Sequence, residues 1–542
     1  MSQSYPWWRH AAVYQVYIRS FKDGNGDGTG DIAGLRSRLG YLRDLGVDAI
    51  WVNPWYVSPL HDGGYDVADY RQIDPRFGTL EDAEAFIAEA GEQGIRVLVD
   101  LVPNHTSWEH RWFVAALAAR PGSPERDRYH FAPGRGSDGS KPPSDWRSVF
   151  GGSAWERVDN GEWYLHLFDV SQPDLNWQNP DVRSHILDVL RFWLDRGAAG
   201  FRVDVAHSLD KDHDYPDIGD DRRALVGTLT GGTASFDHPF WDRDGLHEIV
   251  REWRKVLDEH PDAMMVAEAW VTDWRRQAKY VRPDEYHQSF DFHFLQAPWD
   301  ETAMRAAIAT SLAGAASVGS VPTWVLSNHD VVRHATRYAL PGDVVAKEWL
   351  LDGDRKLLDL DAGLRRARAA TLLMLALPGS VYLYQGEELG LHEVYDLPTN
   401  VLDDPVWVRS GYTEKGRDGC RVPIPWEADG PSFGFGDNGA WLPQPKWFGA
   451  MSAATQAGEA TSTLELYRAA LGLRREWMMD DEELTWLDMG PGALAFRRGS
   501  GAACVVNYGP EPLLLRDGEI LLTSAPVFDS LLPQDTGAWL AF

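Results

Sequence analysis

The sequence contains little cysteine and little positive charge. Only two cysteines occur among its 542 residues, Cys420 and Cys504, so the chain has no disulfide framework and no thiolate metal site. Its 52 Lys and Arg residues are outnumbered by 81 Asp and Glu residues, which gives a formal net charge of −29. Nucleic acids and anionic membranes are bound by basic surfaces, so this balance argues against both as partners.

Long apolar runs and a leader-like start are also missing. The longest apolar run, residues 370–378, is too short to span a bilayer, and the first ten residues lack the basic-then-apolar pattern of a signal peptide. The sequence therefore predicts a soluble, cytoplasmic protein and leaves open whether it is a monomer or a homo-oligomer. Aromatic residues, by contrast, are abundant, with 25 Trp, 19 Tyr and 20 Phe. Because aromatic planes stack on sugar rings, a carbohydrate ligand is one interpretation.

Short β-rich segments recur along the chain, separated by helical patterns or long irregular stretches. These segments are nearly continuously apolar and end in polar residues, as do parallel strands that are covered on both faces. Eight strands are predicted, at 13–20, 49–54, 96–102, 200–205, 264–270, 289–295, 323–330 and 381–387. Amphipathic helices are predicted between them at 35–45, 80–93, 182–196, 246–258 and 365–377. This alternation predicts the α/β class and a (β/α)8 TIM barrel.

The uneven spacing of the strands predicts insertions into the barrel. Residues 104–177 follow the third strand without a strong helical period, so we predict an inserted B domain there. The barrel domain then comprises 1–103 and 178–480, with further insertions at 206–244 and 388–460. Residues 481–542 show short alternating runs with Gly and Pro turns, which predicts a C-terminal antiparallel β domain.

Three carboxylates lie at the ends of predicted strands. Asp204 ends the run GFRVD, Glu268 lies in AEAW, and Asp330 ends SNHD. Strand ends converge on one face of a barrel even when they are far apart in sequence. Histidines occur at equivalent depth, at His105, His207 and His329. One Asp at a strand end is as often a cap or turn residue, but three such carboxylates favour a catalytic site.

Paired carboxylates are the working groups of retaining glycosidases, which place a nucleophile and an acid about 5 Å apart. The nucleophile must stay ionised, and Arg202, on the same strand face as Asp204, is expected to lower the pKa of that carboxyl. The acid must hold its proton, and the apolar neighbours of Glu268 favour the neutral form. Asp330 would then hold the sugar and stabilise the charge of the oxocarbenium ion.

These segments resemble the α-amylase superfamily of glycoside hydrolases, in its α-glucosidase and oligo-1,6-glucosidase branch. The motifs that carry the resemblance are DLVPNH (100–105), GFRVD (200–204), AEAW (267–270), SNHD (327–330), HDGGYDVADY (61–70) and QPDLNW (172–177). The resemblance extends from about residue 7 to the end of the chain. It implies a barrel with B and C-terminal β domains. It also implies Asp204 as nucleophile, Glu268 as acid/base and Asp330 as stabiliser of the transition state.

The resemblance also implies a pocket for one terminal glucose. In the exo-acting branch, an Asp in the loop after strand two pairs with an Arg late in the barrel; Asp62 matches the first, and Arg421, in RVPIPW, matches the second. A structural surface ion pair is the alternative for these two residues. The other positions that match sugar-binding residues are Tyr65, His105, Phe150, Phe168, Gln172, Arg202 and His329. For the two phenylalanines, core packing is an equally good interpretation.

A calcium site is predicted in the loop after the first strand. Residues 23–31, DGNGDGTGD, alternate oxygen-bearing side chains like the start of an EF-hand, but the twelfth position is Gly34 and the loop follows a strand. From the residues alone, a metal-free Gly-rich turn is the alternative. The resemblance implies a structural Ca2+ held by the side chains of Asp23, Asn25, Asp27 and Asp31 and by the carbonyl of Thr29. No catalytic cofactor is expected.

The sequence therefore predicts an exo-acting, retaining α-glucosidase that acts on short oligosaccharides through a covalent β-glucosyl-enzyme intermediate. A transglycosylating relative, such as a trehalose synthase or a sucrose isomerase, is an alternative, although no Arg-rich isomerase loop is seen. A non-catalytic, transporter-associated relative is less consistent with three intact carboxylates. In the family, Val at the position of Val205 accompanies α-1,6 cleavage, whereas RVPIPW and HSLDKD look more like maltases. Maltose-type substrates are favoured, and oligo-1,6-glucosidase activity stays the alternative.

Overall fold

Eight parallel strands form the centre of the protein, in a computed structural model that describes residues 5–219, 238–477, 482–499, 501–516 and 518–542. The strands are β1 (Ala12–Val16), β2 (Ala49–Val52), β3 (Arg96–Leu101), β4 (Gly200–Val203), β5 (Met264–Ala267), β6 (Gln288–Ser289), β7 (Thr323–Val325) and β8 (Ser380–Tyr384). They pair in chain order, and β8 returns to β1. A single parallel bridge between Phe290 and Thr323 joins β6 to β7. The predicted (β/α)8 barrel is confirmed.

Helices cover the outside of this barrel. They are Ile32–Ser37, Leu39–Leu45, Leu80–Glu92, Pro180–Leu194, Leu246–Asp258, Trp274–Tyr280, Phe292–Gln296, Glu301–Ala316, Leu360–Ala376 and Thr463–Trp477. Side-chain caps fix several starts: Thr79 and Asp82 form a capping box, and Asn179 caps a helix that begins with Pro. Shorter helices are Arg111–Ala118, His334–Arg337, Ala346–Asp352, Pro405–Arg409, Asp418–Arg421 and Ala453–Gln456. Within the described residues, no helix is long and apolar enough to cross a membrane.

The sixth strand is much shorter than predicted. The sequence predicts a strand over 289–295, but only Gln288–Ser289 is extended, and a helix runs from Phe292 to Gln296. The Asp291 carboxylate accepts the backbone N–H of Phe294 at 2.9 Å and so begins the helix. The apolar run is buried in either conformation, so its hydrophobicity alone does not distinguish a strand from a short helix.

Antiparallel strands lie in the two regions where the inserted B domain and the C-terminal β domain are predicted. Between β3 and β4, Phe131–Pro133, Glu162–Leu165 and Trp155–Arg157 form a three-stranded sheet. The C-terminal sheet has the order Leu484–Leu487, Ala493–Arg498, Ala502–Asn507, Thr536–Ala541 and Glu519–Thr523. Two further antiparallel pairs are Tyr56–Val57 with Asp69–Ile73 and Leu513–Leu514 with Leu531–Leu532. The domain boundaries stay predictions; the boundary at 480/481 and residues 220–237 of the 206–244 insertion lie outside the described residues.

The C-terminal sheet is attached to the barrel through the helix Leu360–Ala376. Residues 369–376 of this helix are all buried. The indole nitrogen of Trp539 donates to the carbonyl of Leu372 at 3.0 Å, and Arg498 donates Nη1 to the carbonyl of Ala376 at 2.7 Å. The sheet therefore satisfies backbone carbonyls of the helix as well as covering its apolar side chains.

Candidate active site

Two acidic side chains follow directly on barrel strands. The backbone N–H of Asp204, after β4, donates to Leu101 at 2.8 Å, and that of Glu268, after β5, donates to Val203 at 2.9 Å. Both residues therefore continue the barrel ladder by one residue. Asp204 is 7% exposed and Glu268 is 5% exposed. Both carboxyl groups are held at one end of the barrel with little freedom to move.

One buried arginine joins the carboxylates of three neighbouring strands. Arg202, in β4, is 1% exposed and lies opposite Asp100 in the β3–β4 register. Its Nη1 is 2.8 Å from Asp204 Oδ1 and 3.0 Å from Asp100 Oδ1, and its Nη2 is 3.6 Å from Glu268 Oε2. Asp100 is a residue that the sequence analysis missed, although it begins the DLVPNH motif. The usable signal was its position as a lone acidic residue within the apolar run RVLVDL.

The two strand-end carboxyl groups have raised pKa values. Burial raises the pKa of Asp204, and the nearby Glu268, Asp100 and Asp330 raise it further. The contact with Arg202 that we predicted is present, but it does not outweigh these effects. Burial also raises the pKa of Glu268, although the Arg202 guanidinium acts in the opposite direction and lowers it. Arg202 lies 2.8 Å from Asp204 and 3.6 Å from Glu268, so its guanidinium favours the ionised form of Asp204 more strongly than that of Glu268.

Glu268 accepts an N–H donor at each of its two oxygens. The backbone N–H of Val205 donates to Oε2 at 2.7 Å, and the indole N–H of Trp270 donates to Oε1 at 2.6 Å. Val205 has a φ of 45°, which is unusual for a β-branched residue. The Trp270 ring stacks on Phe292 at 3.8 Å between centroids, with 6° between planes. The contact of Trp270 with the carboxyl is not readable from the sequence.

Asp330 lies between two arginines and a histidine. Its Oδ1 is 3.1 Å from Arg417 Nη1 and 3.0 Å from Arg421 Nη2, and its Oδ2 is 3.3 Å from His329 Nε2. Burial raises the pKa of Asp330, but His329 and the two arginines outweigh that effect and hold the pKa below its usual value. Asp330 is therefore the carboxylate of this site that stays ionised most readily.

The prediction that Arg421 pairs with Asp62 is wrong. The carboxylate of Asp62 is held by Arg417, with Nη2 to Oδ1 at 2.7 Å, whereas Arg421 donates Nε to the carbonyl of His329 at 2.9 Å as well as binding Asp330. Asp404 explains the difference, because it accepts the backbone N–H of Arg417 at 2.7 Å and its Nε at 2.6 Å. These contacts turn the Arg417 side chain towards Asp62.

The remaining predicted sugar-binding residues lie around this network. Gln172 donates Nε2 to Asp62 Oδ2 at 3.0 Å and lies 3.1 Å from His105 Nε2. The ring of Tyr65 stacks on His329, with centroids 5.2 Å apart. The phenylalanines are buried side by side: Phe150 is 5.7 Å from Phe168, the Arg417 guanidinium lies 5.0 Å from the Phe150 ring, and Phe168 is 5.2 Å from His105. His207 instead stacks on Trp241 at 4.7 Å.

The side chains of the predicted calcium loop form hydrogen bonds with the loop's own backbone. Each polar side chain accepts backbone N–H groups: Asp23 from Gly26 and Gly28, Asn25 from Asp27, Asp27 from Thr29, and Asp31 from Gly34. In the part of the chain that the structure describes, no three acidic, histidine or cysteine side chains are grouped to hold one ion. Side-chain oxygens of this kind suit Ca2+ chemically. The calcium site stays a prediction.

The chain is similar to known proteins along most of its length. The family model "Alpha amylase, catalytic domain" matches residues 15–481. A probable alpha-glucosidase of Rhizobium meliloti (strain 1021) is 38% identical over 520 residues, which covers 93% of this chain and 90% of the relative. An oligo-1,6-glucosidase of Parageobacillus thermoglucosidasius is 33% identical, with 87% and 84% covered. The solved structure of XgtA, an alpha-glucosyl transfer enzyme, has a TM-score of 0.85 at 33% identity, with 99% and 100% covered. The chain therefore belongs to the α-amylase family and is a glycoside hydrolase.

Proposed function

We propose that the chain is an exo-acting, retaining α-glucosidase. It removes the terminal non-reducing glucose from short oligosaccharides, and malto-oligosaccharides are its favoured substrates. The assignment gives Asp204 the role of nucleophile, Glu268 that of acid/base and Asp330 that of stabiliser of the developing positive charge. The closer contact of Arg202 with Asp204 than with Glu268 supports this order, because a nucleophile must be ionised and an acid must be neutral.

The reaction proceeds in two displacements. First, a carboxylate oxygen of Asp204 attacks the anomeric carbon while Glu268 gives its proton to the glycosidic oxygen, so that the aglycone leaves as an alcohol. Glu268, now ionised, then takes a proton from water, whose oxygen attacks the same carbon and releases Asp204. The two inversions return glucose in the α configuration.

The contact that carries the exo-acting proposal is made by Arg417. Its guanidinium joins Asp62, in the loop after β2, to Asp330, beyond β7, at 2.7 and 3.1 Å. We expect a charged wall of this kind to close one end of the pocket behind a single terminal sugar. Its charged groups offer strong hydrogen bonds to glucose hydroxyls.

Fresh products of maltose and maltotriose test the proposal. Proton NMR should detect α-glucose before mutarotation, and maltotriose should lose glucose from its non-reducing end. Polymeric starch should be a poor substrate. Initial β-glucose would contradict retention, and a rapid loss of starch viscosity with little free glucose would contradict the closed pocket.

Two related activities are alternative candidates. Val205, directly after the nucleophile, and the identity to an oligo-1,6-glucosidase favour α-1,6-linked substrates. The similarity to an alpha-glucosyl transfer enzyme favours transfer of the glucosyl group to a sugar acceptor. Initial rates on maltose and isomaltose separate the linkages. Trisaccharide yield at high maltose concentration measures transfer against hydrolysis.

We also propose a structural Ca2+ in the loop of residues 23–31, held by the side chains of Asp23, Asn25, Asp27 and Asp31 and by the carbonyl of Thr29. The alternating side-chain oxygens of this loop support the proposal, since Ca2+ prefers oxygen ligands. The ion would stabilise the fold and would take no part in the chemistry.

A further inference from the structure

The carboxyl group of Glu268 accepts a hydrogen bond at each of its two oxygens, from groups that can only donate. Trp270 reaches Oε1 at 2.6 Å and the Val205 backbone reaches Oε2 at 2.7 Å. Neither an indole N–H nor a backbone N–H can accept a proton in return. Each oxygen therefore keeps one lone pair free, and the plane of the carboxyl group is fixed.

Both donors are themselves held in place. The indole of Trp270 lies flat on Phe292, which is only 1% exposed, so the ring cannot swing away without losing that stacking. Val205 presents its N–H from a left-handed backbone conformation, and the next residue, Ala206, donates its own N–H to the Glu268 carbonyl at 2.9 Å. A strained conformation in a β-branched residue persists only where surrounding contacts impose it.

Building on the proposed function, we propose that Trp270 is a positioning residue that, together with the backbone N–H of Val205, sets the Glu268 carboxyl for proton transfer to and from the glycosidic oxygen. An N–H donor binds a carboxylate more strongly than it binds a neutral carboxyl. Trp270 therefore stabilises Glu268 most just after that residue has given its proton to the leaving group. This timing makes its hydrogen bond useful to the first displacement.

The charges that face Glu268 determine the sign of the expected change. They are Arg202 on β4, Asp204 directly after it, Asp100 on β3, and Asp330 with its partners Arg417 and Arg421. His329, beside Asp330, is neutral because burial lowers the pKa of its imidazole. None of them changes when Trp270 is replaced by Phe. Loss of one N–H donor removes support for the ionised form, so the pKa of Glu268 rises and the enzyme keeps its acid protonated to higher pH.

Trp270→Phe should therefore move the alkaline limb of kcat/KM for maltose upwards by about one pH unit, the size of one hydrogen bond to a charged group. At the pH optimum, kcat on maltose should fall roughly tenfold. On α-glucosyl fluoride, whose leaving group needs little acid assistance, kcat should change much less. Phe292→Leu keeps the indole N–H but loosens the ring, so it should shift the limb in the same direction by less.

Trp299→Phe is the matched control. Its indole also donates to a carboxylate, Asp535 Oδ1 at 2.7 Å, and also lies on an aromatic ring, Tyr508, but at the contact between the barrel and the C-terminal sheet. This variant should keep the wild-type pH profile. An unmoved alkaline limb in Trp270→Phe, or equal losses of kcat on maltose and on the fluoride, would overturn the positioning role. A wild-type enzyme inactive on both substrates would instead overturn the proposed function.

Discussion

The strand-borne half of the pocket and its loop-borne half are held by different means. Asp204 and Glu268 follow directly on barrel strands, and backbone hydrogen bonds of the sheet fix where their side chains begin. Asp62 and Arg417 lie on loops after β2 and β8, and side-chain contacts fix their positions, above all those of Asp404. Sheet register determines the first pair, while the second pair depends on a network in which each partner orients the next.

The largest effect should come from the strand-borne half. Asp204→Gly and Glu268→Ala should each lower kcat on maltose by several orders of magnitude while leaving the melting temperature nearly unchanged. Azide separates their roles on an activated α-glucoside. In Asp204→Gly it should occupy the place of the nucleophile and give β-glucosyl azide. In Glu268→Ala it should attack the glucosyl-enzyme and give α-glucosyl azide. The same azide anomer from both variants would contradict the two assignments.

A smaller but still large effect should follow in the loop-borne half. Arg417→Ala leaves the buried Asp62 without its ion-pair partner, which typically costs about 3–5 kcal/mol, and Asp62→Ala removes one of the three carboxylates around Arg417. In either variant kcat/KM on maltose should fall roughly a hundredfold or more. If the two residues act as one unit, the double variant should lose little beyond either single variant. The comparison pair Asp62→Ala and Arg421→Ala should be closer to additive. If the losses of kcat/KM for Asp62→Ala and Arg417→Ala were additive, the two residues would not act as one unit, and the proposed difference between the halves would be contradicted.

Val205 lies where the two halves meet and should mainly affect specificity. Its side chain belongs to a buried apolar cluster that contains Phe150 and Phe168. Val205→Thr keeps the shape and the backbone N–H but adds a hydroxyl. We expect the ratio of kcat/KM for maltose over isomaltose to rise about tenfold, the lower end of what one group in a pocket contributes. An unchanged ratio would remove Val205 from the determinants of linkage.

The smallest effect should come from the loop of residues 23–31, which belongs to neither half. If it binds Ca2+, a chelator should lower the melting temperature by about 3 °C and leave activity at low temperature unchanged. Asp27→Ala should abolish this sensitivity. Asp138→Ala is the control, because Asp138 likewise lies exposed in a loop and accepts a backbone N–H, from Ser140 at 3.1 Å. Identical melting curves together with a metal-free elemental analysis would refute the site.

The contrast between the halves also explains what the sequence could predict. A strand end fixes a side chain to within one residue, so the runs ending at Asp204 and near Glu268 were enough to bring both carboxyl groups to one end of the barrel. Arg417 and Arg421 are four residues apart, one directly before the short helix Asp418–Arg421 and one at its end, and both reach the pocket. Which of them reaches Asp62 depends on Asp404, thirteen residues before Arg417, and no local pattern reveals that contact.

Two further misses have a similar physical origin. The run 289–295 is apolar enough for a strand, but one side-chain cap at Asp291 turns most of it into a helix. Trp270 was visible only as an aromatic residue near Glu268, because its hydrogen bond depends on a rotamer that Phe292 selects from another element. Tertiary contacts decide both outcomes, and single-sequence patterns do not record them.

The helix Leu360–Ala376 limits how this protein can be divided. Its last eight residues, 369–376, are buried on every side, which is a property of helices in the interior of large proteins. A shortened chain that ended before the C-terminal sheet would therefore turn an interior helix into a surface one, with an apolar stripe and unmatched carbonyls facing water. A chimera that takes its C-terminal sheet from a relative should not fold unless the helix residues that contact the sheet are exchanged together with it.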